Sequence, residues 1–191
     1  MSLIESILTD RLLLDDYGAL EPAVSGKIME LHHKMHHNTY VNSYNDATEK
    51  LAAAEAKDDI AAKIALQPLI NFHGGGHVNH TLFWENLAPK NAGGGEPPSG
   101  ALGKVIEETY GSLEDFKGKF NTALAGIQGS GWAWLVKDTQ TGNIGIKTYA
   151  VSLIPRDNLS YLLVTEPRSR GRTIQATTRH RCMGACCKLI L

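Results

Sequence analysis

The chain has 191 residues, a formal net charge of −1, 42% hydrophobic and 20% charged residues. That length buries a sizeable core as one domain or two small ones. The near-zero charge offers no electrostatic case for nucleic acid or an anionic membrane surface, and no apolar run reaches the roughly 18 residues of a membrane span.

Residues 1–15 carry apolar positions suited to a short amphipathic turn. Glu5 and Asp10 argue against a transit peptide, which is usually Arg-rich and acid-poor. From Ala23 to about Ala56, Val24, Ile28, Leu31, Met35 and Val41 recur at roughly helical spacing, with no Gly or Pro between Lys27 and Tyr40. This predicts one long helix, N-capped by Ser25 and kinked around Asn45-Asp46. It carries His32, His33, His36 and His37. At about 100° per residue, His32, His36 and Tyr40 share one face and His33 and His37 the next, so one row points inward and the other outward.

Asp58-Asp59 opens a second helix, with acidic residues favourable in its first turn. It runs through Ile60, Ile64 and Leu66, with a kink at Gln67-Pro68. It then reaches His73-Gly74-Gly75-Gly76-His77-Val78-Asn79-His80. His77 and His80, three apart, share a helix face, and Phe83 and Trp84 add an apolar wall. Each glycine costs a helix about 1 kcal/mol. The triplet therefore implies either close approach of another backbone or a plain loop between two helices. Seven of the eight histidines lie in these two stretches. Solvated helix faces are the bland account. The alternative is an antiparallel hairpin that directs histidines to one shared point, as metal-binding bundles do. Two imidazoles leave such a site short of ligands, and manganese or iron favours a carboxylate among the remainder.

Pro89 to Gly100 is a Gly/Pro-rich linker. Leu102 to Tyr110 reads as a short helix. Ser112, with Asp115 three residues on, caps another that ends near Gly126. Trp132 to Val136 is an apolar strand, Lys137 to Asn143 a turn, and Ile144 to Ala150 a returning strand with Ile144 and Ile146 on one face. The fold class is α+β: an N-terminal helical hairpin (16–88), then a smaller α/β lobe with a short antiparallel sheet (100–150). Residues 151–191 form a divergent tail, so that the C-terminal part is incomplete. Cys182, Cys186 and Cys187 lie in that tail without the paired spacing of a zinc site.

The motifs His-His-x-x-His-His-x-x-Tyr-Val-Asn, Gly-Gly-His-x-Asn-His-x-x-Phe-Trp and Gln-Gly-Ser-Gly-Trp-x-Trp-Leu resemble those of the iron/manganese superoxide dismutases, from about Asp16 to Ala150. The resemblance implies conversion of superoxide to dioxygen and hydrogen peroxide by redox cycling of a bound metal. It assigns His32 and His80 as metal ligands, His36 and Tyr40 as the pair lining substrate entry and delivering protons, and Phe72, Trp84, Trp132 and Trp134 as the aromatic shell. Gly76 stands where iron types usually carry Gln, which implies manganese, with iron the alternative. The family also implies a homodimer or homotetramer. The manganese-type eukaryotic relatives imply the mitochondrial matrix, with the cytoplasm the alternative.

The family's remaining ligands are an Asp and a His four residues apart. After His80 the sequence has only His180, with Ala176 four before it. Asp157 and Glu166 are the nearest carboxylate candidates. The expectation is a tail altered by frameshift or splicing, and an alternative function as an inactive or metal-poor variant that binds metal weakly or assembles with full-length subunits.

Overall fold

The computed structural model describes residues 16–128, 130–150 and 159–161. The expected N-terminal turn, the tail cysteines, Asp157 and Glu166 lie outside these. A 3₁₀ turn, Tyr17–Leu20, leads to α1, Gly26–Leu31. The Ser25 hydroxyl accepts the Ile28 N–H at 3.3 Å, which satisfies one of the amides that a helix start leaves without a partner. The helix continues without a break to Ala56, but not as a regular α-helix. His32–His37 is a π-helical turn, followed by α2, Asn38–Ala56. The expected irregularity at Asn45-Asp46 is therefore found earlier, within the first histidine cluster.

Asp59 caps α3, Ile60–Asn86, by accepting the Ala62 N–H at 3.0 Å. Helix α3 passes through Pro68 and the glycine triplet without ending, so the loop alternative is set aside. The close approach that the glycines imply is real, but its partner is a side chain. A Cβ on Gly76 would collide with the Tyr40 ring, and one on Gly74 would press against Tyr44. The absent side chains let α2 lay its tyrosine rings directly on the backbone of α3.

After the linker, α4 spans Gly100–Tyr110 and α5 spans Leu113–Ala125. The Ser112 hydroxyl accepts the Asp115 N–H at 3.0 Å and donates to the Asp115 carboxylate at 2.7 Å, a local variant of the expected capping box. Strand β1, Gly131–Asp138, is central in a three-stranded antiparallel sheet of order β2-β1-β3, with β2 at Ile144–Ala150 and β3 at Leu159–Tyr161. Trp132 faces Tyr149 and Leu135 faces Ile146 across the β1–β2 ladder.

Side chains alternate across a strand, and both faces of β1 are covered. Trp132, Trp134 and Val136 join Met29, Phe83 and Trp84 from the hairpin. Ala133 and Leu135 join Ile106, Phe116, Phe120 and Ile144 from the second lobe. This double burial explains why Trp132 to Val136 is apolar without interruption. It also brings two tryptophans of β1 to the end of the hairpin that carries His32 and His80.

Candidate metal centre

His32 and His80 are 8% and 3% exposed, with ring centroids 5.0 Å apart and planes at 82°. Helix α3 supplies one ring and the π-helical turn the other. The His80 Nδ1 lies 2.7 Å from the Gly76 carbonyl oxygen, which only accepts, so Nδ1 carries the proton and donates. That leaves the Nε2 lone pair for a ligand, the usual arrangement of a metal-binding histidine. Burial, with the neighbouring histidines adding to it, pushes His32 down to about 3. Burial also pushes His80 down to about 4, against the opposing effect of its bond to Gly76. Both rings are neutral at pH 7, the state in which imidazole ligates.

The π-helical turn decides which histidines accompany them. Its hydrogen bonds close from residue i to i+5, as the Asn38 N–H reaching the His33 carbonyl shows. The wider turn places His37, not His36, on the buried side with His32. His37 is 2% exposed, whereas His36 is exposed and meets His32 edge-on, with ring centroids 5.6 Å apart. Of the row His32, His36 and Tyr40, the turn buries His32, half-buries Tyr40 and leaves His36 exposed, and it brings in His37 from the neighbouring row. An α-helix carries no room for the extra residue, and the sequence pattern alone assumed one.

Tyr40 is half-buried, its ring 5.2 Å from His80 and 5.8 Å from Phe72. The aromatic shell is uneven. Trp84 lies 5.1 Å from the His32 ring, and Trp132 meets the His80 ring edge-on at 5.2 Å. Trp134 stacks on Trp132 at 5.8 Å, one layer further out. Phe72 is 38% exposed and stands at the rim, not in a dry wall.

The donor set of two neutral imidazoles fits the nitrogen half of a manganese or iron site. Among the described residues, no group of three His, Cys, Asp or Glu side chains converges to hold a metal ion. Sequence reasoning passed over two residues here. His37 was placed on a different row from His32 for the reason just given. Asn79, 1% exposed, has both amide atoms buried without a hydrogen-bond partner among the described residues, and no periodicity in the sequence signals that.

Comparison with known proteins matches two family models. Residues 12–88 match the alpha-hairpin domain of the iron/manganese superoxide dismutases, and residues 98–163 match their C-terminal domain. The second match extends past Ala150, where the sequence motifs stop. The chain is 53% identical over 135 residues to the mitochondrial manganese superoxide dismutase 3.4 of Zea mays, covering 71% of this chain and 58% of that protein. It is 56% identical over 135 residues to the mitochondrial manganese enzyme of Schizosaccharomyces pombe, covering 70% and 61%. It is 54% identical over 134 residues to that of Saccharomyces cerevisiae, covering 66% and 58%. The aligned part of the chain thus spans about three fifths of the length of these relatives. With a helical hairpin that presents a buried histidine pair to the tryptophans of an antiparallel sheet, and with both halves matched in order, the chain belongs to the iron/manganese superoxide dismutase family.

Proposed function

We propose that the chain acts as a manganese-type superoxide dismutase, with superoxide as its small-molecule substrate and dioxygen and hydrogen peroxide as its products. The observation that carries this reading is the buried, neutral pair His32 and His80, with His80 anchored through Nδ1 and its Nε2 left to ligate. The relatives, named as mitochondrial manganese enzymes, support manganese and the mitochondrial matrix. The family supports a homodimer or homotetramer.

Manganese, when bound, supplies the one-electron redox couple that disproportionation requires. His32 and His80 would hold the ion. His36, exposed beside His32, stands where an anion arrives from solvent. Tyr40, between Phe72 and His80, holds a proton at its hydroxyl for delivery to product. Trp84 and Trp132 keep bulk water from the two ligand rings. Tyr40→Phe is expected to lower turnover while leaving metal content unchanged. Unaltered turnover at equal metal content would remove Tyr40 from the proton path.

The second reading, a metal-poor relative that assembles with full-length subunits, is not favoured by the matches to both family domains. Elemental analysis paired with a superoxide-consumption assay on one preparation separates the two. Close to one manganese per chain with activity supports the dismutase. Little metal and no activity overturns it in favour of the second reading.

A further inference from the structure

His37 is the most enclosed histidine of the first cluster, at 2% exposure, and it bonds through both ring nitrogens. Its Nδ1 lies 2.9 Å from the indole Nε1 of Trp84. An indole N–H only donates, so Nδ1 accepts and carries no proton. The ring proton of His37 is therefore on Nε2. That nitrogen is 2.8 Å from Nδ1 of His77, which must accept. The result is a directed path, Trp84 to His37 to His77, that joins the π-helical turn to α3 at two places. A protonated His37, or the opposite tautomer, breaks the Trp84 bond.

The same ring touches the supports of both candidate ligands. It lies parallel to His80, with centroids 5.3 Å apart and planes at 13°. The indole it holds packs against His32 at 5.1 Å and 68°. We propose that His37 is a positioning residue, which in one fixed tautomer ties Trp84 to His77 and thereby sets the ring orientations of His32 and His80. The geometry stands by itself. Only the consequence for metal affinity rests on the reading of His32 and His80 as ligands.

The test uses the full chain. Nitrogen-15 NMR of the histidine rings is expected to show His37 with its proton on Nε2 alone, and the Trp84 indole N–H protected from solvent exchange. His37→Phe keeps a flat ring for the stack and removes both hydrogen bonds. It is expected to expose the Trp84 N–H to exchange, to shift the His80 ring signals, and to weaken Mn²⁺ binding by about 10–100-fold. His37→Asn, whose amide oxygen replaces the Nδ1 acceptor, is expected to restore Trp84 protection and part of the affinity. Core packing alone predicts no such rescue.

A proton on Nδ1, or a tautomer mixture, in the wild type overturns the proposal. So does a folded His37→Phe whose Trp84 and His80 signals and Mn²⁺ affinity are unchanged. If His37→Phe does not fold, the wild-type tautomer and the Asn variant decide. If the wild-type chain binds no Mn²⁺, the metal reading fails, and the ring signals still decide the role of His37.

Discussion

At position 76 any side chain would enter the space held by the Tyr40 ring, whereas a Cβ on Gly118 in α5 would meet nothing within 4 Å. The two glycines should thus respond oppositely to alanine. Gly76→Ala is expected to destabilise by about 1–3 kcal/mol through overpacking. Gly118→Ala is expected to stabilise by about 0.5–1 kcal/mol through helix propensity. Urea unfolding midpoints of the two variants check both signs. The buried histidines make a separate prediction for the metal-free chain. His32 and His80 titrate at about 3 and about 4 when folded, against 6.5 when exposed. Between these limits the unfolded chain binds protons that the folded one refuses. Stability is therefore fully present above about 6.5 and declines as the pH falls towards 4. A urea midpoint that does not change between pH 7.5 and pH 5 would contradict it.

The element that most shapes the site is the π-helical turn at His32–His37. A π-helical turn behaves as one residue inserted into an α-helix. Lys34, Met35 and His36 are its exposed members. Deleting Met35 is expected to restore a regular helix without lowering helix content, read by circular dichroism. The same deletion within the regular part of α2, at Ala52, rotates the buried Ala54 out of the core and should destabilise the hairpin. The helix starts behave more simply. Ser25→Ala removes the acceptor of the Ile28 N–H and is expected to cost about 1 kcal/mol. Ser25 and Ser112 were legible as caps, because capping depends on a few adjacent residues, whereas Asp59, expected as a first-turn acid, turned out to cap α3. The π-helical turn was not legible, since nothing in Leu31 to Tyr40 distinguishes it from an α-helix until His32 and His37 find Phe83, Trp84 and His80 to pack against.

For the molecule as a whole, β1 is the shared wall of two cores. Trp134, 1% exposed, fills the hairpin side, and Leu135, 4% exposed, fills the other. Removing either should be felt by both lobes. Trp134→Ala is expected to cost about 3–5 kcal/mol. Tryptophan fluorescence and far-ultraviolet circular dichroism should report one coincident unfolding transition in the wild type. Two separated transitions would show that the hairpin and the second lobe unfold independently.

The sequence by itself determined the hairpin, the caps at Ser25 and Ser112, the β1–β2 pairing, the histidine pair and the family. These follow from short-range rules: apolar period, cap chemistry, turn residues, and motifs that keep their spacing. Tertiary structure alone decided that His37 turns inward while His36 stays in solvent, that Phe72 stands at the rim, and that Gly76 makes room for a ring and not a backbone. Each depends on which neighbour, distant in sequence, fills a given space, and a period read along one strand of residues carries no information about the surface packed against it.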